Sequence, residues 1–166
     1  MGMDTPIRAG AASRAVEEAV VGIESFYLCG KYIKMRDFKK NMKVGASAEE
    51  VYAAMTNPFA IELWTGYPAK MSTEPGSEFE MWDGDICGRN LEFEENKKIC
   101  QEWYFGDEGE PSIVTIKLTA KSNVRTEIYI KQTNIPDEYY DNIAGGWEED
   151  YLEPLRQFLE EGDDED

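Results

Sequence analysis

The chain has 166 residues, of which 42% are hydrophobic and 12% aromatic, enough to bury the core of one compact domain. It carries 17 basic and 34 acidic residues, and the formal net charge of -17 would repel nucleic acid and anionic membranes and favours a basic protein surface as partner. There is no histidine, so the commonest general base and the commonest metal ligand are both missing, and we expect neither a hydrolase nor a zinc protein.

Residues 1–34 show no sustained hydrophobic period, and we expect them to form a flexible N-terminal extension. Their most apolar stretch, 15–29, is interrupted by glutamates and predicts neither a membrane span nor a signal peptide. The three cysteines, Cys29, Cys87 and Cys100, have no metal-binding or redox spacing. Reduced thiols of this kind are typical of a cytoplasmic protein.

A strand at 38–44 and two short helices open the predicted domain. Ser47 and Glu50 have the spacing of a reciprocal capping box, so a helix should begin there and run to about residue 56. Pro58 suits the first turn of a second helix, which should end at Gly66.

From residue 77 the hydrophobic period becomes two, the pattern of strands with one buried face. Asp83, Gly84 and Asp85 are the residues that a tight hairpin turn requires. Further strand-like runs with short polar turns follow at 86–93, 98–105, 114–120 and 124–130. This order predicts an antiparallel meander.

An amphipathic helix is predicted over residues 139–159, because apolar residues recur every three or four positions. Its apolar side comprises Tyr140, Ile143, Trp147, Tyr151, Leu155 and Phe158. Pro154 removes one backbone hydrogen bond and predicts a bend near Asp150. Residues 161–166 are almost entirely acidic, and we expect them to form a disordered tail.

Several short segments carry a resemblance to a known family. They are EVYAAMTNP at 50–58, GSEF at 76–79, WDGDICG at 82–88, KKI at 97–99, WYF at 103–105, VTIKLT at 114–119, NIP at 134–136 and GGW at 145–147. Over about residues 36–160 the chain resembles the C-terminal domain of the activator of the 90-kilodalton heat-shock protein ATPase, within the START-like (SRPBCC, birch-pollen-allergen-like) superfamily.

The resemblance implies an α+β helix-grip fold: a curved antiparallel sheet wrapped on a long C-terminal helix, with two short helices after the first strand. The START-like domain would span residues 35–160. The eukaryotic co-chaperone has an additional N-terminal domain, for which 166 residues leave no room, so we expect a stand-alone homologue. Asn90 stands where the family usually has an aromatic residue, which implies a more polar interior.

Two functions follow from the resemblance, and neither requires a cofactor or catalytic residues. The first is co-chaperone-type binding of a chaperone of the 90-kilodalton class through the charged outer surface, which would shift the partner's conformational populations. The alternative is a carrier or sensor of a small hydrophobic ligand in the cleft between sheet and C-terminal helix. A positioning enzyme of the kind found elsewhere in the superfamily is a third possibility.

The ligand hypothesis has seven candidate residues, chosen because ligand cavities are mostly aromatic with a few polar groups. They are Trp64, Trp82, Asn90, Gln101, Trp103, Trp147 and Tyr151. The competing interpretation is that each tryptophan simply packs in the core. The two amides need partners if they are buried, and these could be water, protein or ligand.

Two other motifs have a structural and a functional interpretation. Asp83, Asp85, Gly88 and Glu94 match four positions of a calcium-binding loop, but the flanking segments are predicted strands, which favours a plain hairpin. Gly145-Gly146 is unusual in a helix, since each glycine costs about 1 kcal/mol relative to alanine. The pair either allows close helix packing or makes the helix pliable for ligand entry.

Overall fold

The computed structural model describes residues 34–104 and 111–164. The predictions for residues 1–33, for residue 105 and for the loop that follows it lie outside the described residues. The described part contains six strands. They are β1 (Met35–Val44), β2 (Glu78–Met81), β3 (Ile86–Glu94), β4 (Lys98–Trp103), β5 (Ser112–Ser122) and β6 (Arg125–Pro136).

All six strands form one antiparallel sheet in the order β1-β6-β5-β4-β3-β2. The chain therefore meanders from β2 to β6, as predicted, and β1 joins the far edge beside β6. The hairpin between β2 and β3 turns at Gly84, whose φ of 93° lies in the left-handed region that glycine tolerates. Register shifts in the β1–β6, β3–β4 and β5–β6 pairs interrupt the pairing locally.

Helices α1 (Ala48–Thr56) and α2 (Pro58–Thr65) follow β1. The predicted capping box is present, because the Glu50 amide donates to Ser47 Oγ at 3.1 Å and the Ser47 amide donates to Glu50 Oε1 at 3.0 Å. Gly66 ends α2 with φ 85°. The prediction of two short helices with these caps is confirmed.

The predicted long helix is one continuous rod in three parts, entered through a short 3₁₀ turn (Asp137–Tyr139). It consists of α3 (Tyr140–Gly146), a π-helical segment (Trp147–Leu152) and α4 (Glu153–Asp164). The sequence predicts a bend near Asp150, and what the structure has at this point is a π turn, in which the Glu153 amide donates to the Glu148 carbonyl. Pro154 has no amide hydrogen to donate to the Asp150 carbonyl four residues earlier, so the regular α register could not be complete at this point.

The core lies between the concave face of the sheet and this rod. Inner-face residues Ile116, Ile128 and Ile130 are almost fully buried, as are Trp147 and Leu155 on the rod. The predicted α+β helix-grip fold is confirmed. Helix α4 as described ends at Asp164, whereas the sequence places the start of a tail at residue 161; residues 165–166 lie outside the described part.

Candidate functional site

The five aromatic residues predicted to form a site come together in one buried cluster. Trp103 and Trp147 stack with ring centroids 5.0 Å apart, and Trp147 contacts Tyr151 at 4.5 Å. Tyr151 also contacts Trp64 at 5.0 Å and Trp82 at 5.8 Å. Each of the five side chains is less than 10% exposed, so the cluster connects strand β4, the β2–β3 turn, α2 and the C-terminal rod.

The two predicted amides extend from this cluster along the inner face of the sheet. Trp103 Nε1 donates to Gln101 Oε1 at 3.0 Å, and Gln101 Nε2 donates to Asn90 Oδ1 at 2.9 Å. Asn90 Nδ2 donates in turn to Ser77 Oγ at 3.1 Å and to the Ser72 carbonyl at 3.2 Å. The partners of the buried amides are therefore protein groups, which was one of the possibilities left open by the sequence.

A second hydrogen-bonded chain, which the sequence analysis did not single out, lies beside the first. Trp147 Nε1 donates to Gln132 Oε1 at 2.7 Å, Gln132 Nε2 donates to Ser112 Oγ at 3.0 Å, and Ser112 Oγ donates to the Thr133 carbonyl. The signal was present, because Gln132 continues the inner-face alternation two residues after Ile130. Each of the two stacked tryptophans is thus anchored by its own buried glutamine.

A small cavity lies between the rod and the sheet inside this cluster. Four of the predicted residues, Trp82, Trp103, Trp147 and Tyr151, line it together with Ile86 and Ile143. Its volume is about 10 Å³, close to the least that a single water molecule needs. Pockets for drug-sized ligands measure roughly 300–1,000 Å³, so the cleft is closed in this conformation.

The Tyr151 hydroxyl differs from the indole N–H groups of Trp64, Trp103 and Trp147, which donate to protein acceptors. Its side chain is 4% exposed, and no described residue forms a hydrogen bond with the hydroxyl. Burial raises the pKa of Tyr151 well above its ordinary value, so the hydroxyl is neutral. A buried hydroxyl without a partner is costly.

The glycine pair Gly145-Gly146 immediately precedes the π-helical segment, and Gly146 also borders the cavity. A methyl group added at Gly145 would meet no atom within 4 Å, and one at Gly146 would meet only Asp150 Oδ2 at 3.9 Å. The close-packing interpretation of this pair is therefore wrong. Pliability of the rod beside the cavity is the interpretation that stays open.

The calcium-loop interpretation fails on geometry. Gly88 and Glu94 lie within strand β3, so these positions belong to a hairpin and not to a loop. Gly88 has a different role: a Cβ there would lie 1.8 Å from the Glu102 carbonyl oxygen of the neighbouring strand. Among the described residues, no group of three or more cysteine, aspartate or glutamate side chains is placed to hold a metal ion, and none of the described helices has the length and apolarity to cross a membrane.

Known proteins share this architecture. Residues 45–160 match the family model described as Activator of Hsp90 ATPase homolog 1-like protein. The chain is 30% identical over 112 residues to "Activator of 90 kDa heat shock protein ATPase homolog 1" of Mus musculus, an alignment that covers 67% of this chain and 33% of the mouse protein. The human protein of the same name aligns equally well, so the chain spans about a third of the length of these relatives.

Solved structures show the same fold. The crystal structure of PFC0360w, an HSP90 activator from Plasmodium falciparum, superposes with a TM-score of 0.70 at 22% identity, covering 76% of this chain and 97% of that one. The solution structure of the Aha1 dimer from Colwellia psychrerythraea has a TM-score of 0.68 at 18% identity, covering 77% and 98%. Together with the family model, these similarities show that the chain belongs to the Activator of Hsp90 ATPase homolog 1-like family, with the START-like fold.

Proposed function

We propose that this chain is a non-enzymatic binding domain that engages a chaperone of the 90-kilodalton heat-shock class through its outer surface. The observation that carries the proposal is the closed interior, in which the amides and the stacked indoles bind one another and the cavity holds about 10 Å³. Because the interior of the domain is filled, we expect recognition of a partner to take place on its outer surface. The names of the mouse and human relatives supply the partner class.

A non-enzymatic role agrees with the chemistry of the chain. The sequence has no histidine, and Asn90, Gln101 and Gln132 are occupied by protein partners. We also infer a cytoplasmic location, which the free thiols of Cys87 and Cys100 support.

The outer surface offers both charge and an exposed apolar pair. Phe59 and Leu63 are 77% and 72% exposed and lie four residues apart on α2, so they form neighbours on one helix face. Helix α2 buries Ile61 and Trp64 on its other side. Exposed apolar groups occur at protein contact sites, and the formal net charge of -17 favours a basic partner.

The mechanism would be a population shift, in which the domain binds one conformation of the chaperone more tightly than the others. This requires an affinity that depends on the chaperone's nucleotide state. The test is a binding titration against the host's own chaperone without nucleotide, with ADP and with a non-hydrolysable ATP analogue, at low and high salt. We expect different affinities in the three states and weaker binding at high salt.

A matched pair of variants makes this test specific. The double variant Phe59→Ser/Leu63→Ser should weaken chaperone binding, whereas Val124→Ser, which changes an apolar residue 66% exposed on the β5–β6 turn, should not. Equal affinity in all nucleotide states would overturn the population shift. No binding at a large molar excess would overturn the partner class.

Carriage of a small hydrophobic ligand is the second candidate, because the π-helical segment that carries Trp147 and Tyr151 borders the cavity. π turns inside helices occur frequently at functional sites, and the Tyr151 hydroxyl, which has no partner among the described residues, could donate to a ligand oxygen. Entry would require the rod to move, since the cavity as found admits about one water. Native mass spectrometry of freshly purified protein tests this directly: a mass matching the bare chain would count against a carrier.

A further inference from the structure

The outer face of the sheet, which points away from the rod, is divided by charge. On β2, β3 and β4 its outward positions are mainly acidic: Glu78, Glu80, Glu92, Glu94 and Glu102. On β1, β5 and β6 the charged outward positions are mainly basic: Lys39, Lys43, Lys117, Lys121 and Lys131, beside the acidic Glu127. A basic half face is unexpected in a chain with a formal net charge of -17.

Four of these lysines surround Tyr129 and form what we call the basic patch: Lys39, Lys43, Lys117 and Lys131. Lys117 is the register partner of Tyr129 on β5, and Lys131 lies two residues along β6 on the same face. Lys39 is directly opposite Lys131 across the β1–β6 pair. Like charges directly opposite one another destabilise a sheet, so the pairing of Lys39 with Lys131 lowers the stability of the β1–β6 pair.

The acidic residues near the patch do not neutralise it. Glu127 is the register partner of Lys43, but its carboxylate pairs with Lys121 at 3.4 Å. Within residues 34–104 and 111–164 none of the four patch lysines forms an ion pair. Lys98, the neighbour of Lys117 on β4, is by contrast paired with Glu92 at 3.5 Å. The basic patch therefore combines unpaired positive charge with a half-buried tyrosine.

We infer that the basic patch is a docking site for an extended acidic segment, rich in aspartate or glutamate, of a protein partner. An extended chain repeats every two residues at about 6.5–7 Å, the spacing between Lys131 and Tyr129 along one strand. A carboxylate of such a segment lying between Lys39 and Lys131 would relieve the repulsion between these two lysines. The inference goes beyond the proposed function, because it holds whatever the chaperone partner is.

The size of the patch favours a peptide over nucleic acid. Three adjacent strands at about 4.8 Å spacing make it roughly 10 Å wide, and the acidic half of the same face begins at β4. A polyphosphate backbone longer than this width would meet those glutamates and the overall negative field of the protein. A few carboxylates fit within the basic half.

The test uses a fluorescein-labelled peptide of alternating glutamate and serine, and a control peptide with glutamine in place of glutamate. Fluorescence anisotropy measures its binding to the full chain, to Lys39→Gln/Lys117→Gln/Lys131→Gln, and to the control Lys34→Gln/Lys70→Gln/Lys97→Gln, which changes exposed lysines outside the patch. Both triple variants lower the formal charge from -17 by the same three units, so they differ only in position.

We expect the acidic peptide to bind the wild-type chain and the neutral peptide not to bind. The patch variant should bind about tenfold more weakly or worse, the control variant within about twofold, and binding should fade at high salt. Equal weakening in the two triple variants, or no binding by the wild-type chain, would overturn the inference. Tighter binding of a single-stranded oligonucleotide, or a dimer lost only in the patch variant, would assign the patch to a different occupant and overturn it as well.

Discussion

Trp103 of β4 and Trp147 of the C-terminal rod stack with their ring planes only 19° apart, while each donates its indole N–H to a different buried glutamine. The stack fixes the distance between rod and sheet. The Trp147–Gln132 hydrogen bond fixes where along the sheet the rod lies, because it joins the rod to β6. The Trp103–Gln101 bond lies within β4 and holds the orientation of the Trp103 ring. The aromatic cluster therefore sets both the distance and the position of the rod relative to the sheet, and it also lines a small cavity.

The first prediction concerns the glutamine that anchors Trp103. Gln101→Leu leaves Trp103 Nε1–H and Asn90 Oδ1 without their buried partner, and each such loss costs about 1–3 kcal/mol. We expect the free energy of unfolding in urea to fall by about 2–4 kcal/mol. Gln157→Leu is the matched control, since Gln157 is exposed on α4, and it should change stability by less than about 0.5 kcal/mol. Similar losses in both variants would mean that the hydrogen bonds of Gln101 to Trp103 and Asn90 make no specific contribution to stability.

Local signals in the sequence located most of the elements, because a cap or a tight turn is recognised from a few neighbouring residues. Ser47, Glu50 and Gly66 illustrate this for the helices, and Gly84 does so for the hairpin. Strand β6 was predicted to end at residue 130 and continues to Pro136. The prediction ended the strand too early because Gln132, a polar residue on the inner face, interrupts the apolar alternation.

The candidate site was only partly predictable from sequence. The seven candidates were chosen as aromatic residues and as two amides expected to face the cleft, and the structure brings all of them together. Whether they enclose a pocket depends on side chains distant in sequence. Trp147 meets Gln132 across 15 residues and Gln101 meets Asn90 across 11, and no local pattern states which amide meets which indole. The closure of the interior is a tertiary property for this reason.

The second prediction separates two kinds of glycine. Gly145→Ala/Gly146→Ala adds methyl groups where nothing stands within 3.9 Å, so helix propensity should raise stability, by up to about 1 kcal/mol per site. Gly88→Ala should instead destabilise the protein severely, because its Cβ would lie 1.8 Å from the Glu102 carbonyl oxygen. Thermal unfolding followed by circular dichroism compares the variants. A lower midpoint for the double alanine variant would show that the rod depends on flexible glycines at this point.

The third prediction uses Tyr151 to ask whether the cavity holds a partner. If the hydroxyl is unpaired, Tyr151→Phe removes a buried polar group without a cavity-forming loss, and stability should stay equal or rise by up to about 2 kcal/mol. If a ligand or a bound water accepts from it, the same change should lower stability. Trp147→Phe is the comparison, because it leaves Gln132 Oε1 without its donor and should destabilise in either case. Urea unfolding of purified protein distinguishes the two outcomes.

The last prediction concerns pH and Asp150, which lies in the π-helical segment. Burial first, and the neighbouring Glu149 carboxylate second, raise the pKa of Asp150 above its ordinary value of about 3.8. An acid whose pKa is raised in the folded state destabilises the fold when it ionises. The contribution of protonated Asp150 to the free energy of unfolding is therefore fully present below the ordinary pKa. It is lost as the pH rises through the raised pKa of the folded state.

Asp150→Asn should accordingly raise the urea midpoint at pH 7, and this gain should shrink and vanish as the pH falls toward about 3. Asp141→Asn removes the same charge from an exposed position one helical segment earlier and serves as the control for net charge. Urea titrations of the three proteins between pH 3 and pH 7 supply the comparison. A gain that is the same at both ends of this range, or equal in the two variants, would show that ionisation of Asp150 does not destabilise the fold at neutral pH.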